Sequence, residues 1–145
     1  MASEFRVAAI VLNYRTPDLS ANCARSLLSS LDPEHDVVLV VDNASGDESA
    51  EKLRNELAGV THPEIRVLAT DRNGGFAFGN NAGIRAVDAQ AYLLLNSDTL
   101  VRAGAVDSLF QFLEAHPRAG LVGPRLEWEN GEVQVSGFRF HRPIT

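Results

Sequence analysis

Phe5-Arg-Val-Ala-Ala-Ile-Val-Leu12 runs directly into Asn13-Tyr14, and the same event happens twice more in the chain. Asp36-Val-Val-Leu-Val-Val41 runs into Asp42-Asn43-Ala-Ser45, and Ala91-Tyr-Leu-Leu-Leu95 runs into Asn96-Ser97-Asp98. Each run is short and nearly continuous in its apolar residues, as a strand buried on both faces requires, and each is closed by acids or amides. In a parallel sheet the residues that follow the strands gather along one edge, where open α/β sheets bind their ligands. Three polar clusters far apart in sequence are therefore expected to converge on one crevice.

Working outward, strands are expected at Phe5–Leu12, Val37–Val41, Glu64–Ala69 and Tyr92–Leu95, with a further one at Gly120–Val122. Thr16-Pro17 reads as a helix N-cap and first helical position. Leu19, Cys23, Leu27 and Leu31 then recur every four residues, and Asp32-Pro33 stops the helix. Ser45-Gly-Asp-Glu48 has the pattern of a capping box. Ala50, Leu53 and Leu57 form the inner face of the helix behind it, Glu48 and Lys52 an i,i+4 pair, and Gly59 its end. A glycine-rich segment, Arg72 to Asn81, leads into a short helix ending near Val87, whose small residues Ala77, Ala82, Gly83 and Ala86 permit close packing. Gly104 to Ala115 carries Val106, Leu109, Phe110 and Leu113 on one face. Asn130-Gly131, between Leu126–Trp128 and Glu132–Val135, signals a β-hairpin. The alternation of strand and helix predicts an α/β fold, a mostly parallel sheet flanked by helices with right-handed crossovers and a C-terminal β-hairpin.

The 145 residues fit a single domain, and 45% hydrophobic residues suffice for a core. The net charge of -6, from 13 basic and 19 acidic residues, argues against nucleic acid as a partner and against a polybasic membrane anchor. Every basic residue but Lys52 is an arginine. Cys23 is the single cysteine, expected as a small core residue in a reducing compartment. No apolar run approaches the ~20 residues of a membrane span. The N-terminus lacks the build of a signal peptide, so a cytoplasmic location is expected. Asn43-Ala44-Ser45 matches a glycosylation acceptor, read as chance in that setting.

The candidate site residues follow from the edge. Asp42 reads either as an Asx-turn or, with Ser45 already capping the next helix, as a carboxylate free to accept from a ligand N–H such as the imide of a pyrimidine. Asn13 and Tyr14 read as base or ribose contacts, or as an ordinary loop. The segment Arg72-Asn73-Gly74-Gly75 through Gly79-Asn80 is neither a P-loop, since Asn80 stands where lysine belongs, nor a dinucleotide fingerprint, since it follows the third strand. It fits an anion or flat-ring cradle that uses Arg72 and free helix N–H groups, and it equally fits a tight strand-to-helix turn. Asp98 reads as a metal ligand or a turn cap. In an acidic chain with one lysine, a divalent cation is the economical way to neutralise a diphosphate. His35, His62, His116 and His141 show no metal-ligand spacing, and no nucleophile motif argues for covalent catalysis.

Taken in order, Val11-Leu-Asn-Tyr14, Val41-Asp-Asn-Ala-Ser-Gly-Asp47, Asn73-Gly-Gly-Phe76 with Gly79-Asn-Asn81, Leu94-Leu-Asn-Ser-Asp-Thr99 and Val122-Gly-Pro124 resemble the family 2 glycosyltransferases of the GT-A fold, closest to the bacterial rhamnosyltransferase-like branch. The resemblance implies a nucleotide-diphosphate sugar donor bound at the strand edge, dTDP-rhamnose or a UDP-sugar, with Asp42 as the base-binding aspartate. Asn43 lies beside it, and Asn73, Gly75 and Asn80 belong to the loop that closes on the nucleotide. Asn96-Ser97-Asp98 occupies the D-x-D position, with Asp98 holding Mg2+ or Mn2+ and Asn96 replacing the first aspartate. It implies direct inverting transfer to a glycan or lipid-linked acceptor at the cytoplasmic face of the membrane, with a peripheral association. The catalytic base belongs to the acceptor half, which these residues are expected to lack; Glu127, Glu129 and Glu132 lie near the right stretch without a matching motif. Exposed aromatics from Trp128 to Phe140 suggest a homo-oligomer. Competing readings are a non-catalytic nucleotide-sugar module, a sugar nucleotidyltransferase, disfavoured by Asn13-Tyr-Arg-Thr-Pro17 after the first strand, and a fragment that only partners another chain.

Overall fold

The computed structural model describes residues 3–61 and 63–136. Four strands, β1 (Phe5–Asn13), β2 (Asp36–Asp42), β3 (Glu64–Ala69) and β4 (Ala89–Asn96), alternate with four helices, α1 (Pro17–Leu27), α2 (Ser49–Leu57), α3 (Gly75–Ala86) and α4 (Ala105–Ala115). All strand pairs are parallel, in the order β3-β2-β1-β4. The apolar runs of β1 and β2 are central and almost wholly buried, because helices cover both faces of the sheet.

Alternate residues of each strand serve opposite layers. Val7, Ala9, Val11, Val38 and Val40 pack with Cys23, Ala24 and Leu27 of α1, Leu53 and Leu57 of α2, and Val106 of α4. Ala8, Ile10, Val37, Leu39 and Val41 face Ile84 of α3 and Val87 just beyond it. Of the small residues expected to pack α3 closely, Gly83 does so and Ala82 is half-buried, whereas Ala77 and Ala86 are exposed; Gly79 packs closely as well. A Cβ on Gly83 would stand 3.0 Å from Ile10, and one on Gly79 would stand 2.3 Å from Leu12. At the amino edge the fully buried Asp36 carboxylate accepts from the Arg6 guanidinium, from Val7 N–H at 3.0 Å and from Asp32 N–H at 2.7 Å. Arg6 also reaches Asp107 at 2.7 Å, which ties α4 to β1.

Several expectations are corrected. Gly120–Val122 forms no strand: Leu121 is 89% exposed, and the segment pairs with no strand among the described residues. Leu19 is exposed, since α1 turns Ser20, Ala21, Cys23, Ala24 and Leu27 inward, and Leu31 is buried only after the helix has ended. Lys52 pairs with Asp18 at 2.6 Å and Glu56 at 3.8 Å rather than with Glu48. Most of the glycine-rich segment is already helix, because α3 starts at Gly75. The hairpin is present as a single antiparallel bridge, Glu127 to Val133, turning through Gly131 at φ 85°. Its main-chain bonds join Trp128 N–H to Glu132 O and Gln134 N–H to Leu126 O, both at 2.8 Å. Phe138, Phe140, His141 and His62 lie outside the described residues.

Candidate functional site

β1 and β2 end level with one another, Asn13 opposite Asp42, and β4 ends on the other side of β1 with Asn96 opposite Leu12. The three polar clusters therefore meet at the carboxyl edge, as the strand pattern predicts. Asn13 is fully buried. Its Nδ2 donates to Asp42 Oδ1 at 2.6 Å and to Ser45 Oγ at 3.3 Å; its Oδ1 accepts from Ser20 Oγ at 2.8 Å and Thr16 N–H at 3.3 Å. Asn13 thus supports the crevice from beneath, whereas Tyr14 is 42% exposed beside the Arg15 guanidinium, 5.2 Å from its ring centre.

Ser45 does not cap a helix. α2 begins at Ser49, whose N–H is taken by Asp47 Oδ1 at 2.9 Å. The Ser45 hydroxyl instead donates to Asp42 Oδ1 and accepts from Arg15 N–H at 2.9 Å. Asp42 is consequently not left free: Oδ1 receives two side-chain donors and Oδ2 receives Ser45 N–H at 3.2 Å. A carboxylate only 5% exposed needs such donors. Of its roughly four acceptor positions three are filled, which leaves one on Oδ2. Arg15 (φ 58°) and Ala44 (φ 53°), each two residues beyond the paired Asn13 and Asp42, adopt left-handed backbone.

Asn43 is buried and pins the next loop: its Nδ2 donates to Asn73 Oδ1 at 2.9 Å and Gly75 O at 3.2 Å. Asn73 Oδ1 also accepts Gly75 N–H at 2.9 Å, so the turn into α3 is closed by side chains of two loops. Arg72, Asn73, Gly74 and Gly75 are exposed; the Arg72 guanidinium lies 5.1 Å from the Phe78 ring centre. Asn80 is buried and donates to Phe76 O at 2.9 Å, and its Oδ1 has no partner among the described residues. Across β1, Asn96 and Asp98 are exposed on a turn closed by Thr99 N–H to Asn96 O at 3.2 Å. Thr16 Oγ1 donates to Ser97 Oγ at 3.0 Å, which links this turn to the Asn13 network. Burial, with the Asp98 charge adding to it, pushes the Cys23 thiol up to about 12. Among the described residues no cluster of three or more histidines, cysteines or carboxylates could hold a metal by itself. Sequence reading missed Thr16, Ser20 and Ser97 as network members; a hydroxyl within three residues of a strand end was the available signal for Thr16 and Ser97, whereas Ser20, inside α1, carried none. A shallow acidic groove between α1 and α2, lined by Asp47, Glu48, Glu51, Lys52 and Glu56, contains none of the sequence-predicted residues.

Residues 8–141 match the model of glycosyl transferase family 2. The chain belongs to that family. This family 2 chain is 31% identical over 127 residues to the succinoglycan biosynthesis protein ExoO of Rhizobium meliloti, a match covering 88% of this chain and 33% of that protein. It is 21% identical to the glycosyltransferase GlyG of Streptococcus pneumoniae, covering 87% of this chain and 41% of that protein. It therefore spans 33% to 41% of the length of these relatives. Among solved structures, a mannosyltransferase from Pyrobaculum calidifontis in complex with GDP-Man and Mn2+ superposes with a TM-score of 0.63 at 21% identity, over 76% of this chain and 33% of that one. S. aureus TarS in complex with UDP superposes with a TM-score of 0.62 at 22% identity, over 78% of this chain and 33% of that one. The family 2 chain shares their GT-A-like fold.

Proposed function

We propose that this chain is the donor-binding part of an inverting, metal-dependent glycosyltransferase of glycan or polysaccharide synthesis. The observation that carries this is the placement of Asp42, at the end of β2, and Asp98, on the turn two residues past β4, at one sheet edge on either side of β1 in a family 2 chain. The remaining acceptor position of Asp42 Oδ2 suits the imide N–H of uracil or thymine and so favours a UDP- or dTDP-sugar; among these, the resemblance to the rhamnosyltransferase-like branch favours dTDP-rhamnose. Asn43 and Asn73 shape the wall along the nucleotide, and Arg72 with the N–H groups of Phe76 and Ala77, next after the Gly75 N–H held by Asn73, serves its phosphates.

The donor set fits Mg2+ or Mn2+, hard cations satisfied by one carboxylate when phosphate oxygens and water complete the shell. Asp98 is an exposed carboxylate with that property, and Asn96 contributes an amide oxygen at most. When bound, the cation stabilises the leaving diphosphate. The solved relatives carrying UDP, UDP-GlcNAc or GDP-Man with Mn2+ support this donor class, and the succinoglycan relative supports a polysaccharide product. Acceptor and base are assigned to no residue here: of Glu127, Glu129 and Glu132 near the right stretch, Glu127 is engaged by Arg102 and Arg125. That engagement favours a second reading, a nucleotide-sugar-binding module without transfer activity; metal-dependent hydrolysis of the donor would exclude it. We place the protein at the cytoplasmic face of the membrane, with a glycan or lipid-linked acceptor; no helix among the described residues is long and apolar enough to cross a membrane. Self-association through the exposed Trp128, Val133 and Val135 would appear as a light-scattering mass above that of one chain.

The deciding experiment is calorimetric binding of dTDP, UDP, GDP and ADP, with and without Mn2+, to the wild type and to Asp98→Ala. Metal-dependent binding of dTDP or UDP, lost in Asp98→Ala, is expected. Binding of none of the four would overturn the reading.

A further inference from the structure

Hydroxyls along α1 and at both its ends hold the segment that follows β4. Thr16 Oγ1 donates to Ser97 Oγ at 3.0 Å, Ser26 Oγ accepts Val101 N–H at 2.9 Å, and Ser30 Oγ accepts Val106 N–H at 3.0 Å. The partners advance in step, so residues 97–106 run alongside α1 from its first turn to beyond its last. Ser26 and Ser30 satisfy main-chain donors of a segment that has no ladder partner, a structural duty.

Thr16 stands apart because two networks meet there. Its N–H donates to Asn13 Oδ1, and the Asn13 amide donates in turn to Asp42. Its hydroxyl donates to Ser97, the residue before Asp98. The Asp98 side chain makes no hydrogen bond among the described residues, so its position is set by the backbone of its turn. The side-chain anchor of that turn is Ser97. A continuous chain Asp42–Asn13–Thr16–Ser97 therefore joins the buried carboxylate to the turn that carries the exposed one.

Resting on the donor-site reading above, we propose that Thr16 is a positioning residue that couples the two ends of the site. A nucleotide held at Asp42 and a cation held at Asp98 each favour the other through the Thr16–Ser97 hydrogen bond. Such coupling is reciprocal, so the cation strengthens nucleotide binding by the factor with which the nucleotide strengthens cation binding. One hydroxyl–hydroxyl bond sets the scale of the effect at about fivefold.

The test compares the wild type with Thr16→Val, which keeps shape and removes the donor, and with Thr16→Ser, which restores it. Calorimetry gives the affinity for UDP and dTDP with and without Mn2+, and amide hydrogen exchange follows residues 96–99 without nucleotide. The Mn2+ enhancement should fall about fivefold in Thr16→Val and return in Thr16→Ser, with faster exchange at residues 96–99 in Thr16→Val alone. An unchanged enhancement in Thr16→Val, or a loss equal with and without Mn2+, would overturn the coupling. A wild type that binds with metal dependence while Thr16→Val behaves identically removes only the coupling. A wild type that binds no nucleotide removes the donor site and the coupling together.

Discussion

Asn13 shows how one amide can organise a sheet edge. Both its donor protons and its acceptor oxygen are engaged, and the groups it serves come from β2, α1 and the loop after β2. Asn13→Ala would strip Asp42 of its shortest amide donor while leaving that carboxylate buried. A loss of about 2 kcal/mol in urea unfolding is expected, more than one surface hydrogen bond is worth. Cys23 makes a second residue-scale point. Its thiol pKa is raised from 9.0 to about 12 in the folded chain, chiefly by burial, so the folded state binds the proton more tightly than the unfolded one. That contribution to stability is complete below pH 9 and is lost as pH rises through about 12. At pH 8 the native thiol should resist alkylation that proceeds readily once urea unfolds the chain.

At the scale of elements, α3 is the helix that composition argues against. Its glycines are poor helix formers, yet Gly79 and Gly83 face Leu12 and Ile10 at distances that exclude even a methyl group without rearrangement. Gly83→Ala, which would bring a Cβ to 3.0 Å from the fully buried Ile10, sets a propensity gain of about 1 kcal/mol against overpacking of about 1–3 kcal/mol. A net lowering of the unfolding midpoint is expected. The same tension explains why the glycine-rich stretch reads as a loop from sequence, since only the β1 surface reveals what the glycines accommodate. The central strands and their convergence were legible because a run buried on both faces leaves an unmistakable composition. The duty of Ser45 was not: a hydroxyl three residues before an acid fits a capping box, and equally fits a partner for the carboxylate three residues behind it. Leu19 and Gly120–Val122 misled for a related reason, as apolar periodicity records which residues could be covered and not which ones are.

Across the whole molecule, α1, α2 and α4 lie on one sheet face and α3 on the other, with the amino edge closed by Arg6 and Asp36 and the opposite edge left for chemistry. The chain leaves β1 and β2 by the same backbone turn, into left-handed Arg15 and Ala44. A left-handed conformation costs a non-glycine residue about 1–2 kcal/mol, more than the added unfolded-state entropy of glycine, roughly 0.4–1 kcal/mol. Ala44→Gly is therefore expected to raise the urea midpoint slightly. The consequence concerns selection. A search for heat resistance alone would be drawn to positions 15 and 44, the second one residue beyond the asparagine that pins the glycine-rich turn. Such a gain in hardiness at position 44 would loosen the backbone beside Asn43, whose amide pins the turn into α3.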